Sequence, residues 1–156
     1  MVSYLRRMEE IRFQRWRRLV TVGNAVAIGV GLLVAFAPDS LLLWPHNRGT
    51  EAVFFAGQPP PAGALALRNW LFGIIGGSIA GFHTLAIFIS EYALRHRQRW
   101  AYRALWAGLL VWFPIDSGVS AAYGAWHNLW YINGPALLML GVPLVALWPA
   151  FRGARP

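Results

Sequence analysis

The sequence predicts an all-α integral membrane protein, a four-transmembrane-helix bundle with both termini in the cytoplasm, and three observations lead to this fold class. Hydrophobic residues make up 57% of the 156 residues, charged residues only 13%, and the mean hydropathy is +0.44. An average soluble protein carries about 25% charged residues. Four apolar stretches are long enough to cross a membrane, and most arginines fall on one side of the resulting topology. The length suits a single membrane domain, 1–156.

The four apolar stretches are the predicted transmembrane helices, at 19–37, 67–90, 101–126 and 131–151. A helix needs about 20 residues to cross a hydrocarbon layer about 30 Å thick. A barrel strand would alternate apolar and polar residues, whereas 71–89 is apolar on nearly every face. The few strands that this chain could form would also leave open edges in lipid. We therefore expect helices that run up-down-up-down.

The arginines give the predicted orientation, since the chain has 14 basic residues and no lysine. The positive-inside rule places the arginine-rich side in the cytoplasm. Only Arg48 and Arg68 fall on the external side. An alternative is a cleaved signal peptide ending at Ala35-Phe36-Ala37, which would leave three spans and an external N-terminus. The cytoplasmic set is Arg6, Arg7, Arg12, Arg15, Arg17, Arg18, Arg95, Arg97, Arg99, Arg103, Arg152 and Arg155.

Two segments outside the spans carry their own signals. Residues 1–18 read as a basic amphipathic cytoplasmic helix, with Leu5, Met8, Ile11 (or Arg12) and Trp16 at three-to-four-residue spacing. Such a helix lies on an anionic leaflet, either to bind lipid or a partner or simply to anchor the topology. The external loop 38–66 has apolar patches separated by proline and glycine. It is either a lid over the bundle or a plain tether.

Small residues at four-residue spacing predict close helix packing. The first span carries Gly23, Ala27, Gly31 and Ala35, and the second carries a matching stripe. Small residues at this interval let two helix backbones approach closely. Either the two spans cross each other, or the second pairs with another copy of the chain. The stripe of the second span, which is the predicted homo-oligomer contact, consists of Gly73, Gly77 and Gly81.

The most informative polar residue is Asp116, near the middle of the third span. An acid at this depth costs about 2.5–3.5 kcal/mol on insertion scales, so it must face the bundle interior and find partners. Intramembrane acids often mark functional sites, and they also join helices by hydrogen bonds. The sequence leaves both roles open for Asp116.

A stripe of polar and aromatic residues shares the predicted helix face of Asp116. Trp112, Ser120, Tyr123 and His127 recur with it at three-to-four-residue spacing. The stripe lines a pocket or forms a packing seam. At 1.5 Å per residue, other polar residues fall at similar depths. The candidate catalytic residues are Asp116, Tyr123 and His127, and the candidate ligand-binding residues are Arg68, Asn69, His83, Trp112, Ser120, Asn128 and Asn133.

His83 lies inside the second span at nearly the predicted depth of Asn24. It is a proton carrier, a haem ligand or a helix-to-helix hydrogen bonder. The four histidines lack the paired spacing of a metal site, so no metal ligand is predicted. Cysteine is absent, which excludes disulfides and cysteine nucleophiles. The membrane flanks account for the basic charge without nucleic acid.

The size, the long first external loop and a mid-span Asp116 followed by Tyr123 resemble the haem-dependent membrane epoxide isomerases. The histidine that those enzymes need near the external start of the second span is absent, and Arg68-Asn69-Trp70 stand there. The resemblance is one of architecture and transfers no residue roles.

Three functions remain open at this point. The first is an intramembrane polar pocket that binds a small hydrophobic or lipid-like molecule, with isomerase-like turnover as an option. The second is an oligomeric transporter or channel with a titrating Asp116, and the third is a non-catalytic subunit of a membrane complex. No cofactor is identified. The use of arginine without lysine, with much alanine and glycine, is typical of a GC-rich bacterial genome and suggests the inner membrane.

Overall fold

The computed structural model describes residues 2–152, and Arg155, which entered the arginine count, lies outside them. The regular structure in this range is helical. Four helical runs are long and apolar enough to cross a membrane, namely Tyr4–Phe36, Ala62–His96, Arg99–Ala122 and Trp126–Arg152. The prediction of an all-helical chain with four membrane-length helices is confirmed.

The helices are numbered in chain order, and two of the long runs contain irregular turns. The second long run ends in a π-helical turn, Ile89–Ala93, and a 3-10 turn, Leu94–His96. Another π-helical turn, Leu129–Asn133, lies in the last long run. The α-helices are α1 (Val2–Phe36), α2 (Trp44–Phe54), α3 (Ala62–Phe88), α4 (Arg99–Ala122), α5 (Trp126–Asn128) and α6 (Gly134–Arg152).

α1 joins the predicted cytoplasmic helix and the first predicted span in one unbroken helix of 35 residues. Its length is about 52 Å, which exceeds a hydrocarbon layer of about 30 Å. Its first half docks on the turn between α3 and α4, where Arg17 pairs with Glu91 at 2.6 Å and Arg97 pairs with Glu10 at 2.6 Å. The segment before residue 19 is therefore a continuation of the span and not a separate helix.

The long helices run antiparallel to their neighbours, as predicted, but they do not surround a common axis evenly. α1 packs between α3 and α6, and α6 also packs against α4. α3 and α4 scarcely approach each other along their lengths, so the packing order is α3–α1–α6–α4. We call the end of the bundle that carries α2 the α2 end, and the opposite end the termini end.

The α1–α3 crossing uses small residues, as the spacing predicted, but on α3 it uses a different glycine. A Cβ atom on Gly76 would meet the Gly31 carbonyl oxygen at 2.3 Å and the Ala35 backbone nitrogen at 2.7 Å. Only glycine therefore permits this approach. A Cβ atom added to Gly73, Gly77 or Gly81 would have no neighbour within 4 Å, so this stripe faces away from α1.

The tightest packing lies at the termini end, where α4 and α6 meet α1 and the α3–α4 turn. Tyr102 stacks on Phe151 with ring centroids 4.4 Å apart, and its hydroxyl donates to the Leu144 carbonyl oxygen at 3.0 Å. Leu94 and Leu147 are almost completely buried beside them. Most of the buried apolar core therefore lies toward the termini end.

The long loop between α1 and α3 contains a helix that folds back on the bundle. Asn47 of α2 is buried and donates to the Pro38 carbonyl oxygen at 2.8 Å. α2 packs against α5, which follows the turn at Gly124, a glycine with a φ of 70°. The external loop 38–66, which the sequence predicted to be either a lid or a plain tether, thus forms a structured cap at the α2 end.

Replacing Gly31 with alanine should destabilise the bundle. The added Cβ would meet the Gly76 carbonyl oxygen at 2.8 Å and Ile79 Cγ2 at 2.9 Å. Overpacking of this kind costs about 1–3 kcal/mol. Gly29→Ala is the matched control, because a Cβ there meets open space. Thermal unfolding in detergent, followed by circular dichroism, measures both variants. Equal unfolding midpoints for the two variants would contradict the close crossing.

Candidate functional site

Asp116 of α4 accepts hydrogen bonds from two asparagine side chains that come from the next part of the chain. Its Oδ1 accepts from Asn128 Nδ2 at 2.8 Å and from Asn133 Nδ2 at 2.8 Å. Ser120, one turn later on α4, lies with its hydroxyl 3.4 Å from the same oxygen. Asp116, Ser117, Ser120, Asn128 and Asn133 together form what we call the Asp116 cluster.

The π-helical turn before α6 positions the asparagines of the cluster. Asn133 closes this turn, is fully buried at 0% exposure, and donates its second amide hydrogen to Ser117 Oγ at 3.0 Å. Asn128 likewise donates to Ser120 Oγ at 2.8 Å. π-helical turns inside α-helices are frequent at functional sites because they re-aim side chains. Here the turn brings both amides to one carboxyl group.

The Asp116 cluster has unused hydrogen-bonding capacity. A carboxylate offers about four acceptor positions on two oxygens. All the hydrogen bonds that Asp116 makes within the described part of the chain go to Oδ1, and it forms no ion pair there. The buried Oδ1 of Asn133 has no partner among residues 2–152. The cluster can therefore accept further hydrogen bonds from a donor.

A gap between α3 and α4 opens beside the cluster. Phe82 of α3 closes it toward the termini end, because its ring lies against Gly108, where a Cβ would meet Phe82 Cζ at 2.7 Å. Above this contact the apolar residues on the facing sides are exposed, including Ile115 at 63% and Val119 at 56%. Helical spacing places Leu71, Ile75 and Ser78 on the same face of α3 as Phe82, and Ile115 and Val119 on the same face of α4 as Gly108, and we call the space between these two faces the α3–α4 gap.

A pair of histidines lies in the contact between α2 and α5 at the α2 end. The rings of His46 and His127 meet edge to face with centroids 5.1 Å apart. His127 Nε2 lies 3.2 Å from Thr50 Oγ1, and Gly49 leaves no room for a Cβ beside the same ring. His46 also faces the ring of Phe72 on α3 at 6.1 Å. α2 therefore contacts both α5 and α3 at the α2 end.

The surroundings of His46 favour its neutral form. Burial lowers the pKa of His46, and the nearby His127 and Arg68 lower it further. Hydrogen bonds with Asn47 and Asn128 act in the opposite direction. An uncharged His46 avoids repulsion in the pair, so the contact between α2 and α5 is compatible with neutral pH.

The structure places Arg68, Asn69 and Tyr123 away from the Asp116 cluster. Arg68 is largely covered, forms an ion pair with the exposed Asp39 and contacts the neighbouring Asn69 side chain. Tyr123 is largely exposed, beside the ring of Phe54 at 6.2 Å. The sequence grouped these residues with Asp116 because they were expected at a similar depth. In the structure Arg68 pairs with Asp39 and not with Asp116.

The predicted stripe on α4 is shorter than its spacing implied. α4 ends at Ala122 and the chain turns at Gly124, so His127 lies on α5 and not on the face of Asp116. Trp112 remains on that face and is partly buried against the core. The turn interrupts the helical period on which the prediction for His127 depended.

His83 forms a separate polar contact between α3 and α1. Its Nδ1 lies 2.7 Å from Asn24 Oδ1, and Asn24 Nδ2 donates to the Val20 carbonyl oxygen at 2.7 Å. Because Asn24 Oδ1 is an acceptor, Nδ1 carries the hydrogen. The depth estimate paired these two residues correctly, and the contact joins two helices as one of the predicted roles for His83 requires.

Sequence reasoning missed Ser117, Thr50 and Asp39 as partners of the site residues. Ser117 adjoins Asp116, but neighbouring positions on a helix differ in direction by about 100° and are not expected to share partners. Thr50 and Asp39 lie in or beside the capping segment, whose fold has no clear periodic signal. Among residues 2–152, no group of three histidine, aspartate or glutamate side chains could hold a metal ion.

Comparisons of the chain with protein-family models, with curated proteins and with solved structures find no match.

Acidification should loosen the docking of α2. The pKa of His46 lies below its ordinary value of about 6.5 while α2 is docked, so undocked α2 binds the proton more readily. Docking is then strongest above about pH 6.5 and weakens as the pH falls toward the lowered pKa. Amide hydrogen exchange of Trp44–Phe54, corrected for intrinsic rates, should show faster opening at about pH 5.5 than at about pH 7.5. The same measurement on His46→Phe should show a smaller difference, and an unchanged difference in that variant would refute the assignment.

Proposed function

We propose that this protein binds a small hydrophobic molecule with a hydrogen-bond-donating head, which enters sideways from the bilayer through the α3–α4 gap. One observation carries the proposal: Asp116 directs all its hydrogen bonds within the described chain through Oδ1, beside a gap with apolar walls. A donor on the ligand would pair with Oδ2. The apolar body would cover Ile115 and Val119.

The surrounding residues support binding more directly than turnover. Asn128, Asn133 and Ser120 are neutral donors that hold the Asp116 carboxyl group in one orientation. A ligand bound there meets a single fixed acceptor. Acid–base chemistry generally needs a second group within hydrogen-bond reach of the reacting atoms. Tyr123 and His127 lie outside the cluster. We therefore assign Tyr123 to the α2 end of the gap and His127 to the docking of α2, and we assign neither residue to catalysis.

We also propose the bacterial inner membrane as the location, with both termini in the cytoplasm. The support is the composition and the arginine distribution, since 11 of the 13 arginines among residues 2–152 flank the termini end. In this orientation the α2 end faces the periplasm. A ligand would then reach the α3–α4 gap from the outer leaflet.

An aminoanthracene, which has an apolar body and an amine donor, provides the binding test. Its fluorescence should rise with the detergent-solubilised protein, after subtraction of empty micelles. Asp116→Asn should weaken binding about tenfold or more, because hydrogen bonds to charged groups contribute about 1.5–3 kcal/mol. Anthracene, which lacks the amine, should bind both forms equally.

A pair of matched variants tests the route through the gap. Ile115→Trp should block binding by filling the gap, whereas Leu110→Trp, on an exposed face of α4 away from the gap, should not. Equal aminoanthracene affinity in the native protein, Asp116→Asn and Ile115→Trp would sink the proposal.

A second candidate is an oligomeric proton-coupled carrier, and the open glycine face of α3 favours it. Gly73, Gly77 and Gly81 present backbone to the outside, where another copy could pack closely. Native mass spectrometry from detergent should then show more than one protomer, and Gly77→Leu should yield monomers while Gly118→Leu, also in open space, should not. Proton flux into liposomes should be lost in Asp116→Asn. A monomeric protein without flux excludes this candidate.

A further inference from the structure

A continuous groove runs along α1 on the side where α1 meets α6. Its part near the termini end is a recess of about 470 Å³ lined by polar and apolar side chains of α1, among them Gln14, Arg15 and Arg18. Its deeper part, about 260 Å³, lies between α1 and α6. Leu19 and Val22 line both parts, so the two recesses form one groove, which we call the α1 groove.

The chemistry of the α1 groove changes along its length. The deeper part is almost wholly apolar, with Val26 on α1 facing Met139 and Val142 on α6. The recess near the termini end carries two exposed arginines, Arg15 and Arg18, that form no ion pair among the described residues. Glu10, the carboxylate of this recess, is already paired with Arg97. The groove thus has a cationic end and an apolar end.

The length of the α1 groove matches one leaflet of a bilayer. Arg15 and Val26 are separated by eleven residues, which is about 16 Å of helix rise. Half of a hydrocarbon layer about 30 Å thick is about 15 Å. Trp16 lines the groove near its cationic end, and tryptophan is enriched at the depth of lipid headgroups. The cationic end therefore lies at headgroup level when the four long helices cross the membrane.

We propose that the α1 groove binds one anionic phospholipid from the leaflet next to the termini end. The phosphate lies between Arg15 and Arg18, and one acyl chain follows Leu19, Val22 and Val26 along the contact between α1 and α6. Charge complementarity selects an anionic headgroup, because two unpaired guanidinium groups face it and the one nearby acid is neutralised. This site is separate from Asp116 and does not depend on the function proposed for that cluster.

Native mass spectrometry of the full chain in detergent tests the site, with dioleoyl phosphatidylglycerol and dioleoyl phosphatidylcholine as the added lipids. The native protein should retain one phosphatidylglycerol and release phosphatidylcholine. Arg15→Gln and Arg18→Gln should each weaken retention about fivefold, the effect expected of one arginine near an anionic lipid. Glycerophosphate, which has the phosphate without acyl chains, should not displace the lipid.

Two matched controls distinguish lipid binding in the α1 groove from non-specific electrostatic attraction of anionic lipid to the arginines of α1. The double variant Arg6→Gln with Arg12→Gln removes two charges from exposed positions of α1 outside the groove, as the double variant Arg15→Gln with Arg18→Gln does inside it, and the outside pair should leave retention unchanged. Val26→Trp fills the apolar part and should abolish retention, whereas Val145→Trp, exposed on α6 outside the groove, should not. The proposal is overturned if the control arginine pair weakens retention as much as the groove pair, if phosphatidylcholine binds equally, or if Val26→Trp retains the lipid.

Discussion

A carboxyl group among apolar helices must receive its hydrogen bonds from the protein, because hydrocarbon supplies none. Asp116 meets this requirement with Asn128 and Asn133, which both follow α4 in the chain. The arrangement of the α2 end depends on this interaction. The turn at Gly124 and the π-helical turn before α6 bring the asparagines inward. The turn at Gly124 also places His127 of α5 where His46 of α2 packs against it.

Those parts of the structure that follow from depth and hydropathy could be predicted from the sequence. The four apolar stretches are each long enough to cross lipid as a helix, and successive spans of one chain cross in opposite directions. Helix rise then relates positions on neighbouring spans, which is why Asn24 with His83, and Asp116 with Asn133, could be grouped in advance. The small-residue spacing also predicted a close crossing of α1 with α3.

Those parts that depend on helix rotation and on irregular backbone could not be predicted. Gly76 and the stripe of Gly73, Gly77 and Gly81 lie on different faces of α3, and spacing alone does not say which face meets α1. The fold of α2 depends on contacts distant in sequence, such as His46 with His127. Arg68 pairs with Asp39, whose position is set by that local fold. Residues on regular helices were therefore easier to place than residues near turns.

The packing order α3–α1–α6–α4 has a consequence for biogenesis. α4 scarcely touches α3, and its main partner, α6, follows it in the chain. During synthesis, α1 and α3 can associate as soon as both are made. At that stage α4 carries Asp116, but neither Asn128 nor Asn133, which follow it in the chain, is yet present to donate a hydrogen bond. Synthesis of Asn128 and Asn133 is thus the step that completes the hydrogen bonds of Asp116, and a product shortened before Asn128 would leave that carboxyl group without either asparagine.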